Sequence, residues 1–327
     1  MQQNRVKKIL REGELALGTH VGGIPDPQIV ELIGLAGFDA AFIDMEHTTF
    51  DLHDVQAMVM AAERVGVTPI VRTPGFDPAF ILRLLDMGVQ GVQVPHVSSA
   101  AVAREAVKAV RYPPEGERGM AAGSRAANFG KTPLLEHMAQ SNKEVLLACM
   151  IEDMEAVEQI EEIAGVNGVD LLAVGPSDLS RSLGVSGHPD HPKLVAAIDR
   201  VRAAVRNGSS VRLAIPLNHS AFPRNAAQLK ELGVGYTNCA PTPEARLLKS
   251  LTDQAAEQRN CWDKRPPARP ITGMTGLATV PAARSSGGDR GSFVISSRIP
   301  ALRLAVIGPE VPAGIAQGAR HNGQVDF

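Results

Sequence analysis

The chain has 327 residues, 44% of them hydrophobic, with a formal net charge of −2 at pH 7 and a sequence pI near 6.5. That length accommodates one large domain or two small ones, and the charge balance leaves no basic footprint for nucleic acid. Residues 1–14 carry Arg5, Lys7, Lys8 and Arg11 without an apolar core of signal-peptide length, and no later segment approaches a membrane span, so a cytoplasmic location is expected.

From residue 15 to about 250, short β-type runs alternate with longer amphipathic stretches. The runs are Leu15 to Val21, Phe38 to Asp44, Thr68 to Arg72, Gly91 to Pro95, Val145 to Ile151, Asp170 to Gly175, Val211 to Leu217 and Gly235 to Asn238. Helices are predicted over Pro27 to Gly37, Leu52 to Val65, Pro78 to Met87, Ser99 to Val110, Met154 to Ala164 and Asn225 to Leu232. Gly37, Gly66, Gly88, Gly165 and Gly233 fall where those helices should stop, in the manner of left-handed C-caps. Repeated βα units imply an α/β fold with a parallel sheet, and eight of them favour a closed (β/α)8 TIM barrel over a doubly wound sheet, since closure removes the edges.

The longer connection from Arg111 to Asn142 is expected to be a polar lid or substrate-binding loop over the strand ends. A barrel domain is expected over residues 1–257. From residue 258 to 327 the chain is rich in Pro, Gly, Ser, Ala and Arg, which predicts a low-complexity, disordered tail in which only Phe293 to Ile307 has apolar character to dock. Cys149, Cys239 and Cys261 are too few and too scattered for a disulfide framework and lack zinc-ligand spacing.

In a barrel, the reactive groups belong at the C-terminal ends of the strands. Glu152 and Asp178 each follow a short apolar run, and one helix-length segment separates them. Desolvating a carboxylate costs several kcal/mol unless a cation or a set of donors compensates, so the pair reads as an all-oxygen site for a hard divalent ion: Mg, Mn or Co. Asp178 could alternatively cap the helix after it. His47 follows Asp44 by three residues, a spacing that suits a general base held by a carboxylate, although a lone loop histidine is often incidental. Arg72 ends the third run and suits a carboxylate or an enolate oxygen, or equally a structural ion pair. Lys108, Lys131 and Lys143 lie away from the strand ends, which argues against an imine mechanism.

These segments resemble the HpcH/HpaI aldolase family of metal-dependent pyruvate aldolases over roughly residues 10 to 250. The resemblance is carried by Ile43-Asp44-Met45-Glu46-His47, Val71-Arg72-Thr73-Pro74, Leu84-Leu85-Asp86-Met87-Gly88 through Val94-Pro95, Arg118-Gly119, Ile151-Glu152 and Gly175-Pro176-Ser177-Asp178-Leu179-Ser180, in matching order and spacing. It implies Glu152 and Asp178 as metal ligands and the backbone at Ser177 and Asp178 as the seat of the substrate carboxylate. It further implies His47 as a base acting through water, Asp86 as its acidic partner with Asp44 as second candidate, and Arg72 as the arginine at the keto oxygen. The implied activity is cleavage or formation of 4-hydroxy-2-oxoacids, with a 2-oxoacid and an aldehyde as partners, in a homo-oligomer. One departure is Met150, where the family usually has Gln, so substrate orientation or identity is expected to differ. Asn218 and His219 could line the pocket, a solvated loop being the blander account. Two alternatives are an oxaloacetate decarboxylase or macrophomate-synthase-like enzyme, and a non-catalytic barrel that binds 2-oxoacids. The Pro/Gly-rich tail has no counterpart in the compact members, which leaves the oligomeric state open.

Overall fold

The structure is a computed structural model and describes residues 2–206 and 211–263. Eight parallel strands close into a barrel: β1 (Ala16–Val21), β2 (Ala40–Asp44), β3 (Thr68–Arg72), β4 (Gly91–Val94), β5 (Leu146–Ile151), β6 (Leu171–Val174), β7 (Arg212–Ala214) and β8 (Val234–Asn238), with β8 pairing back onto β1. All eight predicted strands are present. The seventh is the most shortened, ending before Pro216 with a register shift at Leu213/Ala214. The expected tail after residue 258, including Phe293 to Ile307, lies outside the described residues beyond Asp263.

In chain order the helices are α1 (Arg5–Arg11), α2 (Pro27–Leu35), α3 (Leu52–Val65), α4 (Pro78–Met87), α5 (Ala100–Val110), α6 (Leu134–Glu144), α7 (Met154–Glu158), α8 (Ile160–Ala164), α9 (Pro176–Ser182), α10 (Pro192–Arg206), α11 (Ala226–Glu231) and α12 (Pro243–Asp263). Local sequence sets several boundaries. Asp51 and Asp54 form a reciprocal capping box at the start of α3, Asp77 caps α4 ahead of Pro78, and Gly66 and Gly88 end those two helices at φ +72° and +108°. Gly165 differs from expectation: it ends α8 at φ −80°, in the right-handed region.

Alternation along the strands separates two apolar layers. Ala40, Phe42, Ile70, Leu146, Ala148, Leu171, Ala173, Ala214 and Tyr236 fill the barrel interior, while Ile43, Val71, Val92, Leu147, Cys149 and Leu172 join the larger cluster shared with the outer helices. At the N-terminal end, α1 sends Val6 and Leu10 into the interior cluster. Asn4 holds it there through Glu144 and the carbonyl of Gln90, and Lys7 Nζ lies 2.8 Å from Asp170. Burial lowers the Lys7 pKa, with Asp170 opposing the shift.

The connection from Arg111 to Asn142 is not a lid over the strand ends. It leads from the end of α5 to the start of β5 and therefore runs at the opposite, N-terminal rim, where Arg111 bonds the carbonyl of Val145 and the carboxylate of Asp170. It also contains α6, and Tyr112 and Arg118 are buried within it.

Candidate active site

Register places the polar side chains of the C-terminal rim. Asp44 on β2 lies opposite Arg72 on β3, and Arg72 opposite Gln93 on β4. In-register residues of parallel neighbours point the same way, so these three form one inward-facing layer above the apolar interior. Arg72 grips Asp44 at two points, Nε to Oδ1 at 2.8 Å and Nη2 to Oδ2 at 2.7 Å, and His20 Nε2 on β1 lies 3.2 Å from Oδ2. Asp44 is 1% exposed. Burial by itself would raise its carboxyl, but the hydrogen bonds from His20 and Arg72 outweigh that and hold it well below the usual carboxylate range.

This geometry corrects two expectations about His47. Asp44 does not support it, because both Asp44 oxygens are committed across the sheet while His47 sits in the turn beyond β2. Its imidazole is 65% exposed and has Glu46 Oε2 at 3.7 Å. Asp86 does not support it within this chain either. Asp86 lies in the last turn of α4, which runs back toward the N-terminal rim, and its carboxylate accepts from Arg118 Nη2 at 2.8 Å. The Arg118 side chain is fully buried, stacks over Tyr112 and donates to Ser141. Asp86→Ala should therefore act on stability: stranding a buried guanidinium costs about 3 kcal/mol, the low end for broken buried pairs because Asp86 is partly open to water, read as a lowered denaturation midpoint.

Glu152, the residue after β5, is 3% exposed, and its Oε1 accepts from the His96 backbone N–H at 2.7 Å and lies 3.0 Å from His96 Nδ1. His96 adopts φ +55°, uncommon for a side-chain-bearing residue, and this bend turns its N–H onto the carboxylate. Burial raises the Glu152 carboxyl, and the charges of Glu46 and Asp178 push the same way against His96. Asp178 sits in the first turn of α9, where its Oδ1 accepts from Arg181 Nε at 3.3 Å. It makes no capping bond, and the first turn of α9 has no side-chain cap. Gly175 precedes this helix, where a Cβ would meet Met150 Cε at 2.7 Å and Glu152 Cβ at 3.0 Å, so a larger residue would press on both side chains.

Glu46 closes the cluster. Arg72 Nη1 and His96 Nε2 lie 3.0 and 3.3 Å from its two oxygens, yet the buried Oε2 receives no aligned hydrogen bond. The carboxylates of Glu46, Glu152 and Asp178 thus influence one another at a single rim, with one oxygen unsatisfied. A dication between Glu152 and Asp178 would compensate that charge, and the all-oxygen donors suit Mg, Mn or Co. No set of three or more His, Cys, Asp or Glu side chains among the described residues is arranged to hold a metal. Water and substrate oxygens would have to complete the shell.

Beside these groups opens a cavity of about 390 Å3, lined among others by His20, His47, Arg72, Gln93, Met150 and Asp178. His219 also lines it and is bound to Ser177 Oγ at 3.2 Å, so the pocket-lining reading holds for His219 over the solvated loop. Burial lowers the His219 pKa. His20, Glu46, Gln93 and His96 carried no role in the sequence reading, although a polar residue inside Gly91-Val92-Gln93-Val94 is a visible signal. Among the described residues no helix is long and apolar enough to cross a membrane.

The chain is similar to several known proteins. A pyruvate aldolase of Rhizobium etli is 41% identical over 196 residues, covering 60% of this chain and 76% of that protein. A hydroxypyruvate/pyruvate aldolase of Pseudomonas aeruginosa is 38% identical over 253 residues, 77% of this chain and 91% of its own length. The crystal structure of an HpcH/HpaI aldolase/citrate lyase family protein from Burkholderia cenocepacia superposes with a TM-score of 0.70 at 32% identity, covering 79% of this chain and all of that one. The sequence profile of the HpcH/HpaI aldolase/citrate lyase family matches residues 23–241, and the chain belongs to that family as an enzyme of the lyase class.

Proposed function

We propose that the protein is a divalent-metal-dependent aldolase that cleaves or forms 4-hydroxy-2-oxoacids, giving pyruvate or a close 2-oxoacid and an aldehyde. The observation that carries this reading is the gathering of Asp178, Arg72 and His47 around one cavity, with Glu152 buried within reach of the charge of Asp178. The similarity to a pyruvate aldolase and a hydroxypyruvate/pyruvate aldolase supports the choice of 2-oxoacid. Bound between Glu152 and Asp178, the ion would polarise the carboxylate and keto oxygens of the substrate.

The side chains account for the other steps. The first turn of α9, with no capping side chain, offers the N–H groups of Ser177 and Asp178 to the substrate carboxylate. Asp44 fixes Arg72, so that the guanidinium meets the charge developing on the keto oxygen without reorganising. His47, through water, takes the proton of the 4-hydroxyl. The C3–C4 bond then breaks, its electron pair forms the enolate, the aldehyde leaves, and C3 is protonated to give the 2-oxoacid. His47→Ala is expected to lower kcat by about 10²- to 10⁴-fold with 2-oxoacid binding retained. Because His47 is largely exposed, its thermal midpoint should stay close to that of the parent.

The test is product analysis of pyruvate and oxaloacetate against a panel of aldehydes with added Mg or Mn. Full turnover in EDTA would exclude the proposal. Carbon dioxide release from oxaloacetate with no aldehyde requirement would favour a decarboxylase, a reading that the apolar Met150 in the cavity keeps in play.

A further inference from the structure

Met150 points inward from β5 into the rim layer, two residues beyond Ala148, which pairs with Gln93. Its sulfur accepts from Gln93 Nε2 at 3.4 Å and from Arg72 Nη1 at 3.9 Å, while its methyl end lies against Gly175. A thioether is a weak acceptor. Arg72 has Glu46 and Asp44 as well, but the Gln93 amide N–H is engaged with a poor partner in the cavity wall, and Gln93 is only 7% exposed. Burying an amide in a barrel layer costs free energy unless its hydrogen bonds are used. Gln93 lines the cavity in the same layer as Arg72.

We infer that Gln93 is a specificity-determining residue: its amide N–H leaves the Met150 sulfur and donates to an oxygen of the bound 2-oxoacid, supplying from β4 the donor that Met150 cannot supply from β5. The identity of the ligand rests on the aldolase reading above. The exchange gives up only a bond to sulfur and gains one to an anionic or keto oxygen, a stronger class of contact. The thioether chain has three rotatable bonds and can yield as the ligand enters. Orientation of the 2-oxoacid would then be set by Gln93 and Arg72 together.

The experiment uses oxalate as a stable probe with the adjacent oxygens of a 2-oxoacid, titrated calorimetrically into the Mn-loaded full chain, with KM and kcat measured in parallel. Gln93→Leu should weaken oxalate binding by about tenfold, the size of one hydrogen bond to a charged group, and raise KM by a similar factor. Gln93→Met, closer in shape, serves if the first variant misfolds. Adding Met150→Gln to Gln93→Leu should recover most of the lost affinity, which a merely structural role for Gln93 would not produce. Oxalate affinity within about twofold of the parent in a folded Gln93 variant overturns the inference. If the parent binds oxalate but turns over no 4-hydroxy-2-oxoacid, the aldolase reading fails while the affinity ratio still decides for or against Gln93. If the parent binds no oxalate with Mn present, both fall.

Discussion

Glu152→Gln is expected to abolish metal-dependent turnover while leaving the metal-free barrel at least as stable as the parent. The loss should exceed about 100-fold, the upper end for removing a mere outer partner of a metal ligand. The stability half follows from charge. Glu152 is buried beside Glu46 and Asp178, and its carboxyl is raised above the ordinary value mainly by burial. A carboxyl raised on folding contributes stability below its unfolded pKa and loses that contribution as pH rises through the folded one, so at neutral pH the ionised group opposes folding. A neutral amide removes the penalty, and its oxygen can still accept from the His96 N–H. Thermal midpoints in EDTA at neutral pH, with activity in Mn, read both halves, and a clear fall in the metal-free midpoint would contradict the argument. The same shift means that Mn affinity of the parent should begin to fall at a higher pH than an ordinary carboxylate would cause, because binding requires the ionised form.

Arg72→Ala is expected to damage both turnover and fold. Removing a donor aimed at developing oxyanion charge costs about 10² to 10³ in kcat. It also leaves Asp44 ionised, buried and held by His20 and the Glu46 backbone N–H alone, for which about 3 kcal/mol of lost stability is the low end of the range for a broken buried pair. Arg72→Lys keeps the charge but not the two-point grip, so it should recover part of the stability and little of the rate. Because His20 and Arg72 hold the Asp44 carboxyl well below the usual range, the stability from this pair is present in full above the unfolded carboxylate pKa and is lost progressively as pH falls from there through the depressed value. An acid limb of the pH profile above that region should therefore survive in Asp44→Asn. Recovery of the Ala variant by added guanidinium would confirm that the missing donor, and not a collapsed barrel, limits the rate.

The barrel was legible because eight apolar runs with intervening helix-length segments admit few closed arrangements. Most of what escaped notice lacked a strong periodic signal: α1 within the basic N-terminal stretch, α6 inside what read as a loop, and α12 extending past residue 258 with a largely polar sequence. The single helix predicted over Met154 to Ala164 is interrupted at Gln159. At the rim, Glu152, Asp178, Arg72 and His47 were visible as polar residues after apolar runs. Their partners were not, since partnership depends on register. Asp44 lies three residues from His47 in sequence, yet its in-register neighbour across the sheet is Arg72. Asp86 shows the same limit: its distance from the rim is set by the return direction of α4, which spacing alone does not convey.

The docking of α1 under the barrel has a consequence for engineering. Asn4 and Lys7 brace the starts of β4, β5 and β6 through Gln90, Glu144, Val145 and Asp170, a full strand length away from the reacting groups. Floor and mouth can then be tuned separately: tightening the plug should raise heat tolerance with little change in catalytic constants, giving a sturdier chassis on which substrate range can be altered from the other end.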